Sequence, residues 1–499
     1  MMITLVMLGL FLSGTLAWYA EYKKPDTAKW IALVAVLTIS LAFVVSLTAS
    51  SLDYSSLQLL TRVSWIAVFN IEFALAVDYL SIILILLTLV LAFICVLVSW
   101  REITSQVGFY YFNLLATVAG IIGVFTAVDL FLFFFFWEVM LLPMTALIAI
   151  WGHENRHFAA IKFFIFTQVS SVLMLIAIIA MAYWHFAQTG RVSFFYQDWL
   201  ALNIPLQHAK FAMLGFFIAF AVKLPSVPVH SWLPDAHTQA PTAGSVLLAG
   251  VLLKTGAYGL IRFVVELFPL ASEWFAPMAA MLAVISVLYG AKMAFAQQDF
   301  KRLVAYSSIS HMGFVMLALF SFNALAYQGA IITIVAHGLS SAALFSLAGM
   351  LYVRIHSRNL RDMGGLWQSA PRMGGFALAF AAAAFGLPGL ANFVGEFLSL
   401  VGAFHRFPLF VIFAAIGLIG SAIYGMVLFQ SSFQGPMQKP VMDLSLRELT
   451  VMLSLFLPLL IIGLYPNMVL QHVEQTPQGA KVHVAGSSSM DSQNRKGGE

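Results

Sequence analysis

Charged residues and cysteine are scarce in this chain of 499 residues. Only 9% of the residues are Asp, Glu, Lys or Arg, whereas 61% are hydrophobic, and the mean hydropathy is +0.93. These values lie far outside the range of soluble domains. The single cysteine, Cys95, excludes a disulfide framework and a thiolate metal site built by this chain alone, so its expected role is packing. The sequence therefore predicts an integral membrane protein.

The signatures of nucleotide, iron–sulfur and nucleophilic chemistry are also missing from the sequence. There is no Gly-rich phosphate loop, no cysteine cluster and no pairing of a nucleophile with a base. Asp235 and His237 share a Pro-rich stretch, but two groups without a third ligand indicate a metal only weakly. We therefore predict neither a metal site nor a cofactor-binding site in this chain.

Apolar segments long enough to cross a bilayer, about 20 residues each, recur along nearly the whole chain. The first has no Lys or Arg before it, which argues against a cleaved signal peptide. The tail after residue 470 is polar, and its composition predicts disorder. We predict an all-α polytopic membrane protein with fourteen membrane helices, near 1–20, 29–50, 77–100, 108–127, 129–151, 159–184, 209–231, 243–265, 274–296, 302–322, 326–352, 374–403, 408–432 and 448–470.

The Lys and Arg residues of the connecting segments are distributed very unequally between the two sides of the membrane. One side carries fifteen of them, and the other carries only Arg62, Arg191, Lys210, Arg262 and Arg406. We call the side with fifteen the basic face. Loops rich in Lys and Arg stay in the cytoplasm, so both termini are expected outside. The net charge of +4 is thus a topology signal and gives no reason to expect nucleic acid.

Six titratable groups are predicted at one depth inside the membrane. Counted at 1.5 Å per residue from the helix ends, each lies ~12 to 20 Å deep. An ionised side chain there costs at least ~2.5 kcal/mol, which burial in protein must offset. Two interpretations stay open: buried pairs of acids and lysines that only hold helices together, or a relay that takes up and releases protons. The six groups are Glu138, Lys223, Lys254, His311, His337 and Glu396.

Prolines predict that two of the membrane helices are broken. Pro225 and Pro228 remove backbone donors just after Lys223, and Pro388 with Gly389 does the same before Glu396. Broken spans are tolerated only where protein or a wet cavity satisfies the freed groups, and in transporters such breaks occupy corresponding positions of inverted repeats. The stretch "TQVSSVLMLIA" at 167 resembles "HGLSSAALFSLA" at 337, which supports a repeat.

These features predict five regions. They are three N-terminal helices (1–107), a first five-helix repeat (108–265), a second five-helix repeat of inverted topology (274–432), a fourteenth helix (448–470) and the polar tail (471–499). Helices 7 and 12 are the broken ones.

Several stretches closely resemble the antiporter-like membrane subunits of NADH:quinone oxidoreductase, respiratory complex I. The resemblance covers about residues 75 to 470. Within this family, Glu396 favours the chain M branch, since a lysine at that place is typical of the sister chain L. The stretches are "FLFFFFWEVMLLPM", "FAVKLPSVPVHSWLPDAHTQAPTAGSVLLAGVLLKTGAYGLIR", "QQDFKRLVAYSSISHMGF", "IVAHGLSSAALF" and "LPGLANFVGEF".

The resemblance implies a role for each of the membrane-depth groups. Glu138 would pair with Lys223 of the broken seventh helix, and Lys254 would be the central lysine of the eighth. Glu396 would serve the proton exit, and Lys162 would lie on the input side, although snorkelling to the surface is an equal alternative for it. His311 and His337 would lie between the half-channels and carry a proton from Lys223 towards Lys254 and Glu396.

The resemblance also implies the setting of the chain. It would be a non-redox, proton-pumping subunit in the bacterial inner membrane, in contact with lipid, with other membrane subunits and with sister antiporter-like chains. FMN, iron–sulfur clusters and quinone would belong to partner subunits. Two alternatives remain: a cation/proton antiporter subunit of an Mrp-type or hydrogenase-linked complex, and a structural scaffold.

Overall fold

The structure, a computed structural model, describes residues 2–50 and 52–472. Most of the predicted tail therefore lies outside the described residues. Within them, thirteen helices are long and apolar enough to cross a membrane. The remaining predicted span, 374–403, consists of two helices of 14 residues each. The prediction of fourteen spans with breaks in the seventh and twelfth is confirmed.

We number the membrane helices α1 to α14 in chain order. Halves of a broken helix carry the letters a and b. Their bounds are α1 Met2–Glu21, α2 Pro25–Thr48, α3 Tyr79–Glu102, α4 Val107–Thr126, α5 Leu130–Trp151, α6 Arg156–Thr189, α7a Leu206–Lys223, α7b Trp232–Gln239, α8 Thr242–Glu266, α9 Pro269–Phe295, α10 Phe300–Leu319, α11 Ala324–Ile355, α12a Pro371–Ala384, α12b Ala391–Phe404, α13 Pro408–Phe433 and α14 Leu446–Leu464.

An antiparallel hairpin before α3 is the one departure from an all-α fold in the described residues. Strand β1, Gln58–Ile66, pairs with β2, Ile71–Val77. Asn70 adopts a left-handed conformation in the connection, with φ of 53°, which Asn tolerates better than most residues. The prediction of an all-α chain is right for the membrane part and missed this hairpin.

The helices differ strongly in how deeply they lie within the bundle. Every residue in the apolar membrane stretch of α8 and of α11 is buried, and so is nearly every residue in that of α10. By contrast, only a third or less of the apolar stretch is buried in α1, α2 and α14. Three of the six predicted membrane-depth groups lie on these deepest helices, where neither lipid nor bulk water surrounds them.

Close packing of α11 against α12b depends on glycine. A β-carbon on Gly395 would lie 2.6 Å from the backbone nitrogen of Thr333, and one on Gly329 would lie 2.4 Å from that of Ser399. Real side chains essentially never approach a neighbour this closely, so only glycine allows the two backbones to meet here. The contact sets the position of Glu396, the residue after Gly395.

Candidate functional site: a row of buried polar groups

The helix break after Lys223 leaves the lysine at the end of α7a. Its side chain is 1% exposed, and its Nζ has no hydrogen-bond partner among the described residues. The rings of Trp137 and Phe163 lie on either side, each with its centroid 5.3 Å from Nζ. Aromatic faces attract a cation, most strongly where water is absent. Lys223 is therefore held by ring contacts rather than by hydrogen bonds.

Glu138 interacts with Lys223 at a distance. No ion pair within 4.0 Å joins these two described residues, although the carboxylate acts electrostatically on the lysine. Its Oε1 accepts a hydrogen bond of 2.7 Å from the hydroxyl of Ser171. The interaction of Glu138 with Lys223 in this arrangement is therefore electrostatic, without a direct ion pair. The Glu138 side chain is only half-buried.

Lys254 lies at the centre of α8 and is completely buried. Its Nζ donates to the carbonyl oxygen of Ala249 and lies 2.7 Å from Nδ1 of His337. Two π-helical stretches, Leu248–Leu252 and Leu260–Glu266, flank the lysine. Such stretches shift the usual backbone pairing, and Ala249 lies within the first of them, so its carbonyl oxygen can receive the ammonium group.

From Lys254 a row of neighbouring polar side chains leads to α12b, joined by hydrogen bonds at both ends and by a ring contact between the two histidines. The rings of His337 and His311 have their centroids 5.4 Å apart. Nδ1 of His311 lies 2.5 Å from Oε1 of Glu396, and its Nε2 lies 3.1 Å from the hydroxyl of Tyr424. The contacts therefore place both histidines between Lys254 and Glu396. The predicted proton path, which passes both histidines before it reaches Lys254, stays a prediction.

The break in α12 brings backbone close to the Glu396 carboxylate. Gly386 has a φ of 73°, and a β-carbon there would lie 3.3 Å from Oε2 of Glu396. Gly389, with a φ of 97°, completes the turn before α12b. Both residues occupy the left-handed region that favours glycine. The second oxygen of Glu396 thus faces the break, without a hydrogen-bond partner among the described residues.

Lys162 lies near the basic face and contacts the second half of the broken helix. Its Nζ forms an ion pair of 2.6 Å with Asp235 of α7b, and Arg302 lies 3.7 Å from the other oxygen of that carboxylate. Asp235 is therefore occupied by two cations, while His237 is buried elsewhere against Phe345. The weak metal signal of Asp235 and His237 does not correspond to converging ligands.

Sequence reasoning missed several buried polar groups in this row and elsewhere in the bundle. Tyr424 and Ser171 carry no pattern that separates them from ordinary helix residues. Lys301 was counted with the loop charges, yet it is the second residue of α10 and is 1% exposed. Arg262 was also counted as a loop charge, but it is buried in α8 and pairs with Asp78 and Glu266. Counting residues from a helix end gives the depth of a group in the membrane, but it does not show which groups are buried by neighbouring helices.

The fold and the row of buried titratable groups define a membrane protein built for moving protons or cations. Residues 127–423 match the family described as the membrane domain of NADH:quinone oxidoreductase and Mrp antiporter subunits. The chain belongs to this family.

Curated relatives resemble the chain over almost its full length. It is 48% identical to NADH-quinone oxidoreductase subunit M of Pseudomonas aeruginosa, over 92% of this chain and 93% of the relative. It is 47% identical to subunit M of Escherichia coli K12, over 92% and 94%. The branch that Glu396 favoured agrees with these names.

Solved structures share the fold. A chain of respiratory complex I from Thermus thermophilus with bound NADH superposes with a TM-score of 0.88 and 30% identity, covering 96% of this chain and 99% of that one. A chain of the Mrp complex from Dietzia sp. gives a TM-score of 0.82 and 20% identity, covering 96% of each. At 20% identity, the similarity to the Mrp chain shows a shared fold and nothing further.

Proposed function

We propose that this chain is a proton-translocating membrane subunit of NADH:quinone oxidoreductase. The observation that carries the proposal is the row from Lys254 through His337 and His311 to Glu396, the first three of which lie on the most deeply buried helices. A scaffold needs no such row, since apolar side chains pack helices at lower cost than buried charges. The relatives named subunit M support the assignment to the oxidoreductase rather than to an antiporter complex.

In this proposal the chain moves protons from the cytoplasm to the periplasm and performs no redox step itself. The basic face lies in the cytoplasm and both termini lie in the periplasm, following the distribution of Lys and Arg. Lys254 gives its proton to Nδ1 of His337, and the proton then passes to His311 and from its Nδ1 to Glu396. Tyr424 holds the other nitrogen of His311 and fixes the ring. Quinone reduction in partner subunits supplies the driving force.

Glu138 is the group that couples the row to its neighbours in this mechanism. Its side chain is only half-buried at membrane depth, where a carboxylate left open to lipid would be costly. Another membrane subunit of the complex, such as a sister antiporter-like chain, would cover it. A change of charge there alters the electrostatic stabilisation of Lys223, which has no hydrogen-bond partner to compensate.

The test uses inverted membrane vesicles that carry Glu138→Gln, with Asp26→Asn as a matched change of acid to amide at an exposed position. After assembly has been verified, NADH-driven quinone reduction and proton uptake are followed together. We expect both to collapse in Glu138→Gln and to stay at wild-type levels in Asp26→Asn. Wild-type behaviour of both variants would show that the charges are structural.

Lys223→Met separates transport from scaffolding. The transport role predicts normal assembly and near-complete loss of proton movement, because no hydrogen bond is removed. A scaffold role predicts that assembly suffers as much as pumping. Sodium/proton exchange without NADH would instead favour the antiporter alternative.

A further inference from the structure

A cluster of charged side chains lies at the outer end of α8, on the side of the bundle opposite the basic face. The guanidinium group of Arg262 donates to the carboxylate of Asp78, the residue before α3, and its Nη1 donates a bond of 3.3 Å to Oε2 of Glu266. The hydroxyl of Tyr196 donates a hydrogen bond of 2.9 Å to the same oxygen of Glu266. The side chain of Arg262 is only 11% exposed. We call Asp78, Arg262 and Glu266 the outer cluster.

The outer cluster follows Lys254 along α8. Tyr258 comes one turn after the lysine, and Arg262 comes one turn after Tyr258, so the guanidinium-bearing residue lies ~12 Å further outward at 1.5 Å per residue. The guanidinium carbon of Arg262 lies 5.6 Å from the centre of the Tyr258 ring. Glu266 is the last residue of α8, and Asp78 caps the outer end of α3. Arg262 therefore lies between Lys254 and the two acids.

A purely structural role does not account for this arrangement. Apolar side chains of similar size stabilise a buried contact at least as well as an ion pair in many proteins. Nε of Arg262 is also buried without a hydrogen-bond partner among the described residues, although buried polar atoms are almost always paired. Ionisable side chains inside membrane spans usually mark the path of an ion or a proton. The position of the cation on the inner side of its acids thus suggests a function in the passage of protons.

We propose that Arg262, held by Asp78 and Glu266, is an electrostatic barrier that prevents protons of the outer side from reaching Lys254 along α8. The inference rests on the proposed function, in which Lys254 takes up protons that come from the cytoplasm. Protons from the outer side can bind to the two carboxylates. They go no further, because the guanidinium group does not release a proton in proteins and so cannot pass one inward.

The fixed charge of Arg262 supports the barrier in a second way. An arginine in a pore can exclude protons and cations through its positive charge. A proton that moves inward along α8 is opposed most strongly beside the guanidinium group. At an effective dielectric of about 20, one unit charge still opposes it by a factor of about ten at a distance of ~12 Å. The two acids alone would attract protons, so the cation on their inner side gives the cluster its direction.

The deciding variant neutralises the whole outer cluster in the intact complex, by Asp78→Asn, Arg262→Gln and Glu266→Gln together. The amides keep polar groups that can bond to one another and to Tyr196, and no buried charge is left unpaired. Inverted vesicles, whose interior corresponds to the outer side, are loaded with acidic buffer and diluted into neutral buffer without NADH. We expect assembly, and we expect the complex-dependent decay of the pH gradient to be about tenfold faster than in the wild type. Vesicles that lack the complex give the background.

Two further variants serve as controls. The double change Arg354→Gln with Glu448→Gln removes a similarly buried ion pair, with side chains 14% and 10% exposed, which joins α11 to α14 at the basic face. Arg262→Lys retains a positive charge between the acids and Lys254, although lysine lacks the planar fork of arginine. We expect the wild-type rate of decay in both, because neither removes the cation that faces the outer acids.

Each result supports or overturns the barrier. Wild-type decay in the neutralised cluster overturns it, and equally fast decay in Arg262→Lys or in the Arg354 and Glu448 control overturns it too, since the charge of Arg262 would then not be the cause. If the neutralised cluster does not assemble, Asp78→Asn with Arg262→Gln decides, because Glu266 keeps its hydrogen bond from Tyr196; wild-type decay there overturns the barrier. The proposed function is tested separately, by NADH-driven proton uptake in Glu138→Gln.

Discussion

Substituting Gly395 by alanine tests whether the row depends on the close approach of α11 and α12b. The added β-carbon would lie 2.5 Å from Oγ1 and 2.6 Å from the backbone nitrogen of Thr333. Ordinary van der Waals contact begins at 3.4 Å, so the helices must separate by about 0.8 Å at this point. Overpacking of this kind costs ~1 to 3 kcal/mol of folding free energy.

The separation also displaces Glu396, the next residue along α12b. Its carboxylate lies 2.5 Å from Nδ1 of His311, and a shift of this size stretches the bond beyond good hydrogen-bond geometry, which ends near ~3.2 Å for N–H···O. We expect Gly395→Ala to assemble with a lowered denaturation temperature and to lose most NADH-driven proton uptake in inverted vesicles. The assay follows quinone reduction and uptake together.

Gly375→Ala is the control for Gly395→Ala. It makes the same change in α12a, where a β-carbon meets no atom within 4 Å. Alanine is the better helix former there by about 0.5 to 1 kcal/mol. We expect wild-type pumping and equal or higher thermal stability. Wild-type uptake in Gly395→Ala would refute the reasoning, since it would mean that the helix contact does not position Glu396.

Two further predictions concern ionisable groups away from the row. Arg262→Met leaves the carboxylates of Asp78 and Glu266 without their shared cation, so we expect a loss of ~3 to 5 kcal/mol in stability, measured as a lower inactivation temperature. Arg62→Met removes the cation of a more exposed pair and should cost ~1 kcal/mol or less. Equal losses in the two variants would contradict this prediction. Burial raises the pKa of Asp129, which caps α5, to about 6. Its contribution to stability is therefore full below the usual value of 3.8 and is lost as pH rises from there through about 6. Asp129→Asn should accordingly gain stability relative to the wild type as pH rises from 3.8 to about 6, with little further change above that; a pH-independent difference in denaturation temperature would contradict this.

The helices and their breaks could be predicted from sequence because each depends on local chemistry. Apolar length defines the spans, and the prolines at 225, 228 and 388 mark the breaks that end α7a at Lys223 and precede α12b. The hairpin was missed although its signal is local. Residues 58–66 are rich in β-branched and apolar side chains, and Asn70 lies in the connection to β2, a pattern typical of two short strands.

The order of the groups within the row could not be predicted from sequence, for a physical reason. Counting along a helix gives depth, but all six groups share one depth, so their sequence in space depends on how the helices are arranged side by side. His337 contacts Lys254 because α11 packs against α8, and His311 contacts Glu396 because α10 packs against α12b. Lys301 was counted as a loop charge for a related reason: it lies at a helix end, but other helices bury it as deeply as a residue of the membrane interior.

The two halves of the row differ in a way that suggests how a charge signal is received and then passed on. Lys223 has only ring contacts and the distant Glu138, so its charge depends on one electrostatic partner. At an effective dielectric of 20 two unit charges 4 Å apart interact by about 4 kcal/mol, an upper limit here because no pair within 4.0 Å exists. Even half of that energy would change an equilibrium by more than about tenfold. In the proposed mechanism Lys254, His337, His311 and Glu396, which are neighbours in the row, instead exchange protons as a coupled set. The proposal therefore makes the first half the sensitive element and the second half the conducting one.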